Sequence, residues 1–391
     1  MARALDRCSD LFDAGPPLRT ERRLGLLTAD RPRVMQRAAL AVLIGWVPLA
    51  VLAAAETLLR GNDGARSLLA DFAVWGRSLI AAPLLIVAES DAIPRLGRVA
   101  RHFLEAGFVT ERDRPPFEAA IASTRRWLDS TAGELIAVVF AYGIAVTLIL
   151  SVPHKGLPAW HLASGSSLAF SPAGWWHVLV SIPLLLVLVF GWLWRVLLWA
   201  RFLWLMARLR LRLIPGHPDR AGGLQFVSTS LRGFRLPSFA LGAIVAGMIA
   251  NQAVHHGASP LDYKNVAAAV PVAALVLFAG PLLVFARQLR DAKWWGMFEY
   301  GALAGVVGKA FEQKWLAHTH DVGERALKAE DFSATNDLYS VTANVYEMKD
   351  IPFDVRELAL LAGSALMPML PLTFLAVPIE DVLKVLTKLL F

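Results

Sequence analysis

Cysteine is almost absent from this chain: of 391 residues, only Cys8 is one. A single thiol closes no intrachain disulfide and leaves too few sulfur ligands for a cysteine-based metal site. Charge is scarce too. Asp, Glu, Lys and Arg make up 18% of the residues, against about 25% in soluble domains, and this excludes an ordinary soluble fold. Catalytic signatures are missing: there is no phosphate-binding Gly-x-x-x-x-Gly-Lys loop, no His-Glu-x-x-His pair, no Gly-x-Ser-x-Gly elbow and no pair of intramembrane aspartates. Nothing argues for an enzyme, and no cofactor or metal is expected. No internal repeat is visible, so the inverted repeats common in secondary transporters find no support. The first 34 residues are polar and Arg-rich with no apolar core of a cleavable signal, so the first span is expected to serve as the insertion signal.

What is present is apolar. Hydrophobic residues make up 56% of the chain and the mean hydropathy is +0.50. The stretch Trp175–Leu224 organises the rest. WWHVLVSIPLLLVLVFGWLWRVLLWA is longer than the roughly 20 residues that cross a bilayer core. A basic collar with Arg201, Arg208, Arg210 and Arg212 follows, then a Pro- and Gly-shaped turn, HPDRAGGL. Similar runs predict an all-α polytopic bundle of about seven transmembrane helices, near 38–59, 68–87, 135–152, 175–200, 237–253, 266–285 and 358–377. The organisation expected is a basic cytoplasmic arm (1–37), spans one and two (38–88), a cytoplasmic helical hairpin split near Pro115-Pro116 (89–132), spans three and four (133–200), a basic loop with the HPDR turn (201–236), spans five and six (237–286), a cytoplasmic helical segment (287–356), and span seven with an amphipathic tail (357–391). The arm is expected to be partly disordered or to lie on anionic headgroups.

Charge sets the sidedness. Of the 39 Lys and Arg residues, eight fall in 1–37, seven in 89–132, seven in 201–236 and nine in 287–356, against six in the intervening loops and tail. The positive-inside rule then places the N-terminus in the cytoplasm and the C-terminus outside. It also accounts for the net charge of +7 without nucleic acid as a partner. The partners expected are the lipid bilayer, anionic lipid headgroups and further copies of the chain. Trp160, Trp175 and Trp176 on one side, with Trp199, Trp204, Trp294 and Trp295 on the other, suit aromatic belts.

A few residues stand out chemically. Arg77 lies within span two, where an arginine costs about 2.5–3.5 kcal/mol and needs a partner or water. Two readings stand: an ion pair with Glu56 or Asp71 that fixes helix order, or a polar permeation path. His217, Asp219 and Arg220 sit in the HPDR turn. Asp219 is expected to cap the following segment and Arg220 to pair with an acid or a lipid phosphate; the Gly222-Gly223 amides could instead cradle an anion, and a metal on His217 and Asp219 has too few ligands in view. Gly242, Ala246 and Ala250 repeat every fourth residue, as do Ala243 and Gly247, and predict a close helix seam. Asn251 and Gln252 are expected to bond across helices, and Arg195 to snorkel to the cytoplasmic interface.

HPDRAGGLQFV (217–227), GPLLVFARQLRDAK (280–293), EYGALAG (299–305) and PMLPLTFLAVPIEDVLKVLTKLLF (368–391) resemble an uncharacterised family of bacterial multi-pass inner-membrane proteins. SATNDLYSVTANVYEMKDIPF (333–353) resembles a segment of the same family. The resemblance implies a bacterial inner-membrane location and transfers no activity. From the polar second span and the proline-broken spans six and seven, the leading expectation is a pore or carrier for an ion or small solute. The alternative is a scaffold or sensor that binds a protein or lipid partner through its cytoplasmic helices.

Overall fold

A computed structural model describes residues 11–12, 27–28, 31–32, 34–151, 158–162, 170–316 and 330–376. It is an all-α bundle; among the described residues the strand pairing is limited to Leu27–Thr28 against Arg31–Pro32 and a Leu162–Phe170 bridge. Among the described residues the longer helical units are, in order, α1 Val34–Arg60, α2 Phe72–Glu105, α3 Arg114–Leu128, α4 Thr131–Leu150, α5 Pro172–Met206, α6 Arg235–His256, α7 Pro260–Trp315, α8 Glu330–Tyr346 and α9 Val355–Leu372. All but α3 and α8 are long and apolar enough to cross a membrane, which gives seven spans. The tail beyond residue 376 lies outside the described residues.

Proline shapes these helices. Pro83, Pro183 and Pro281 are each preceded by a π-helical turn: Trp75–Ala81, His177–Ser181 and Leu275–Ala279. Proline offers no N–H and its ring crowds the carbonyl four residues back, so the turn ahead of it widens. The widened bonds run from the N–H of Ala82, Ile182 and Gly280 to the carbonyls of Arg77, His177 and Leu275. In each case the accepting residue lies six positions ahead of the proline. In α9, Pro368 and Pro371 tighten Met367–Leu372 into a 3₁₀ turn.

The small-residue repeat makes two seams rather than one. Gly242 faces α9, where an added Cβ would collide with the Ala365 carbonyl. Ala243 and Gly247 face α2, where Gly76 approaches so closely that a Cβ on it would lie 2.6 Å from the Ala243 carbonyl oxygen. Ala246 and Ala250 are buried in the main core. Helix α6 is therefore held between α2 and α9.

The segment 89–132 forms a helical hairpin, but the break falls at residues 106–113 and not at Pro115-Pro116. Both prolines sit in the first turn of α3, where a missing N–H costs nothing. Phe117, Ile121, Thr124 and Leu128 are all buried, as their spacing predicts. Helix α7 runs on past the apolar span as the 30-residue helix Ala286–Trp315 and pairs with α8. Met297, Tyr300, Ala304, Val307 and Phe311 are half-buried in that pairing.

Other expectations need correction. In the N-terminal arm, Leu11 and Phe12 are fully buried, with the Phe12 ring 5.7 Å from that of Trp199. This part of the arm is packed into the core and does not lie on headgroups. Arg195 does not snorkel. It is 1% exposed, and its Nη1 lies 2.8 Å from Glu89 Oε1. Arg37, counted with the arm, is in α1 and places its Nη2 2.7 Å from Glu89 Oε2 at 2% exposure. One carboxylate thus sits between two buried guanidinium groups. Trp160 and Trp199 are buried and belong to no aromatic belt, whereas Trp175, Trp204, Trp294 and Trp295 are exposed.

Candidate functional site

Arg77 lies about 8 Å along α2 from Phe72, counting five residues at about 1.5 Å each. The Glu56 or Asp71 ion pair expected for it does not form. Glu56 meets Arg60 on its own helix, at 3.5 Å. Asp71 is buried and committed elsewhere: its Oδ1 accepts the N–H of Val74 at 3.1 Å and its Oδ2 accepts the indole N–H of Trp160, also at 3.1 Å. The first bond caps the entry to α2. Arg77 Nε donates to the Ala73 carbonyl at 3.0 Å. Its two Nη groups make no hydrogen bond or ion pair among the described residues, and Arg77 lines a cavity.

That cavity has a volume of about 230 Å³ and is lined by Asp71, Arg77, His161, His177 and Asn251 together with Ala73, Leu148, Pro158, Phe170, Val178 and Ile182. It lies at the end of the bundle where α2 and α5 begin and α4 and α6 finish. The loop between α4 and α5 builds one wall. Ser171 Oγ accepts the Gly174 N–H and donates to the Trp160 carbonyl, and the Ser171 N–H donates to the His161 carbonyl. This pins Trp160 and His161 against α5. The two rings stack at 3.7 Å, and His161 meets His177 edge-on at 5.2 Å.

Several polar atoms around this cavity lack partners. His161 Nδ1, His177 Nδ1 and Asn251 Oδ1 are buried and unpaired among the described residues. Burial, with the nearby Arg77 charge adding to it, holds the His161 imidazole down to about 3, so it stays uncharged above that pH. Asn251 was expected to bond across helices; instead it faces the cavity. Both Arg77 and His177 sit on π-helical turns, a distortion that recurs at functional sites. Arg77 was visible in the sequence as a charge within a span. His161 and His177 were not singled out, although the shared six-residue spacing to Pro83 and Pro183 was there to be read.

The HPDR turn closes on itself. Asp219 Oδ1 accepts the N–H groups of Ala221 and Gly223, and Oδ2 accepts that of Gln225. His217 Nδ1 lies 2.8 Å from Asp219 Oδ1. Burial works against the charged carboxyl, but these bonds outweigh it and hold Asp219 below the usual carboxylate range. Of the two glycine amides that might have cradled an outside anion, that of Gly223 is therefore occupied by Asp219 itself. Arg220, at φ 54°, pairs with Glu347 at 2.9 Å, and its carbonyl accepts the Lys349 N–H. Gly223 adopts φ 94° with its α-carbon against the Phe108 ring, where a Cβ would clash. His217, Asp219, His102, Arg212, Arg232 and Glu357 line an open cleft of about 750 Å³ at the other end of the bundle. There Glu357 ties Arg232 and Arg235 of the α6 region to α9, at 2.8 and 2.5 Å.

The fold is compatible with an integral membrane protein: seven of its helices are long and apolar enough to cross a membrane, and Asp71, Arg77, His161, His177 and Asn251 help to line a largely apolar-walled cavity among them. No family model, curated protein or solved structure matches this chain.

Proposed function

We propose that this protein is a carrier or pore for a small solute, which enters through the cavity around Arg77. One observation carries the reading. Arg77, His161, His177 and Asn251 line a single cavity within a membrane bundle, and Nδ1 of both histidines and Oδ1 of Asn251 are buried without a partner among the described residues. Leaving polar groups unpaired in such surroundings is costly, by about 1–3 kcal/mol each, and a solute or its water removes that cost. Deeper in, Leu85, Leu188 and Trp192 are buried, and the Trp192 indole donates to the Leu85 carbonyl. This packs α5 on α2 below the cavity, as a pathway open to one side at a time requires. The setting we propose is the inner membrane of a bacterium, with the basic segments cytoplasmic. Flux into liposomes that contain the purified protein tests the reading. Solute entry in protein-containing vesicles that falls at least tenfold with Arg77→Gln is expected; flux equal to that of empty vesicles for every solute class tried removes it.

A second reading, a scaffold or sensor, draws on one feature. Beyond the apolar span, α7 keeps Phe298, Leu303 and Val306 exposed, at 70%, 52% and 67%. Under that reading Phe298→Glu and Val306→Glu abolish assembly, read by light scattering in detergent, and leave flux untouched.

A further inference from the structure

We infer, on the solute cavity proposed above, that its occupant is a small monocarboxylate with an apolar body, the carboxylate seated on the Arg77 fork. Among the described residues, Arg77 is the only Lys or Arg that lines the cavity. A guanidinium offers planar paired donors that match a carboxylate edge to edge. Its Nε is held by the Ala73 carbonyl, which fixes the plane and leaves the Nη donors for a ligand. A cation is repelled by the same group.

Asp71 sets the upper limit on charge. It stands in the same wall, and both its oxygens are anchored, one by the Val74 N–H and one by the Trp160 indole. It cannot swing away, so a second negative charge on the ligand meets a fixed carboxylate. Rejection of the wrong partner by a placed like charge is how such sites discriminate. The remaining wall is apolar, with Leu148, Phe170, Val178 and Ile182 prominent. A volume of about 230 Å³ falls below the roughly 300–1,000 Å³ of pockets for drug-sized ligands. A body of a few carbons suits it. His161, His177 and Asn251 line the same cavity beside Arg77.

The test is ligand-induced thermal stabilisation and calorimetric binding on the full chain in nanodiscs. Butyrate is the probe, with uncharged butyramide and dianionic succinate as comparisons. Butyrate is expected to bind at least tenfold more tightly than either. Arg77→Lys, which keeps the charge and loses the fork, is expected to weaken butyrate roughly tenfold. Val178→Phe, which fills the cavity without touching a charge, is expected to abolish its binding. Butyramide binding as well as butyrate, or succinate binding more tightly, overturns the proposal on unmutated protein alone. Butyrate binding unchanged in both variants overturns the site. Carriage is judged separately: butyrate bound but not moved across liposomes keeps the ligand class and removes carriage. Flux of some other solute without butyrate binding removes the class and keeps carriage.

Discussion

Glu89 is the most exposed to loss of any single residue here, because two guanidinium groups depend on it. Arg37 and Arg195 are 2% and 1% exposed and reach it from different helices. Removing one partner of a buried ion pair typically costs about 3–5 kcal/mol, while replacing all partners with apolar residues can be near neutral. Glu89→Gln is therefore expected to reduce the yield of folded protein and its melting temperature. The triple change of Arg37, Glu89 and Arg195 to Leu is expected to recover most of both. Arg77→Leu strands no carboxylate and is expected to cost less than Glu89→Gln in the same melting experiment. His161 gives a pH signature. Its folded value of about 3 lies below the unfolded value near 6.5, so the unfolded chain binds the extra proton. Stability contributed by the uncharged ring is complete above about pH 6.5 and is lost as pH falls toward 3, at up to about 1.4 kcal/mol per unit. Thermal melts between pH 7 and 4 are expected to show this slope, and His161→Phe to flatten it. At this scale the sequence was partly readable. Asp219 as a cap follows from local spacing, its bonds reaching only to Gln225; Arg220 as half of an ion pair follows from its charge, and its partner Glu347 was not legible. The Arg37–Glu89–Arg195 cluster does not, because its members come from three helices and no local pattern links residues 52 positions apart.

Elements here are shaped by proline more than by composition. The three π turns before Pro83, Pro183 and Pro281 place one extra residue in each turn, and two of them present Arg77 and His177 to the same cavity. Pro83→Ala restores an N–H and removes the ring that forces the turn open. It is expected to stabilise the chain by up to about 3 kcal/mol and at the same time to reduce solute flux, as Arg77 rotates off the cavity. Stability unchanged and flux intact would show that the widened turn is held by packing and not by the proline. The α6 seams are stricter. Gly242→Leu places a side chain into the Ala365 carbonyl, and overpacking of this kind costs about 1–3 kcal/mol or more; a lower melting temperature is the expected reading. Small residues at fourfold spacing were legible in the sequence as a seam. That one helix serves two seams was not, since spacing shows which residues share a face and not how many neighbours that face meets.

For the whole molecule, seven spans were legible because a bilayer imposes a length and an apolar composition that few soluble helices meet. Sidedness is testable directly. In a chain with Cys8 replaced, a cysteine at Ser259 is expected to react with an impermeant reagent from outside, and one at Ser333 only after the membrane is opened. What escaped the sequence is how polar segments fold back into the apolar mass. His161 reads as loop and becomes cavity wall; Leu11-Phe12 reads as arm and becomes core. The second case carries a timing. Phe12 packs on Trp199, which is made about 190 residues later. At about 5–20 residues per second, an apolar segment waits roughly ten to forty seconds for its binding surface. During that interval it is open to proteases and to chaperones that hold exposed apolar chain. Chains arrested before residue 199 should thus be cut near residue 12 by mild proteolysis, and chains arrested well beyond residue 235 should resist.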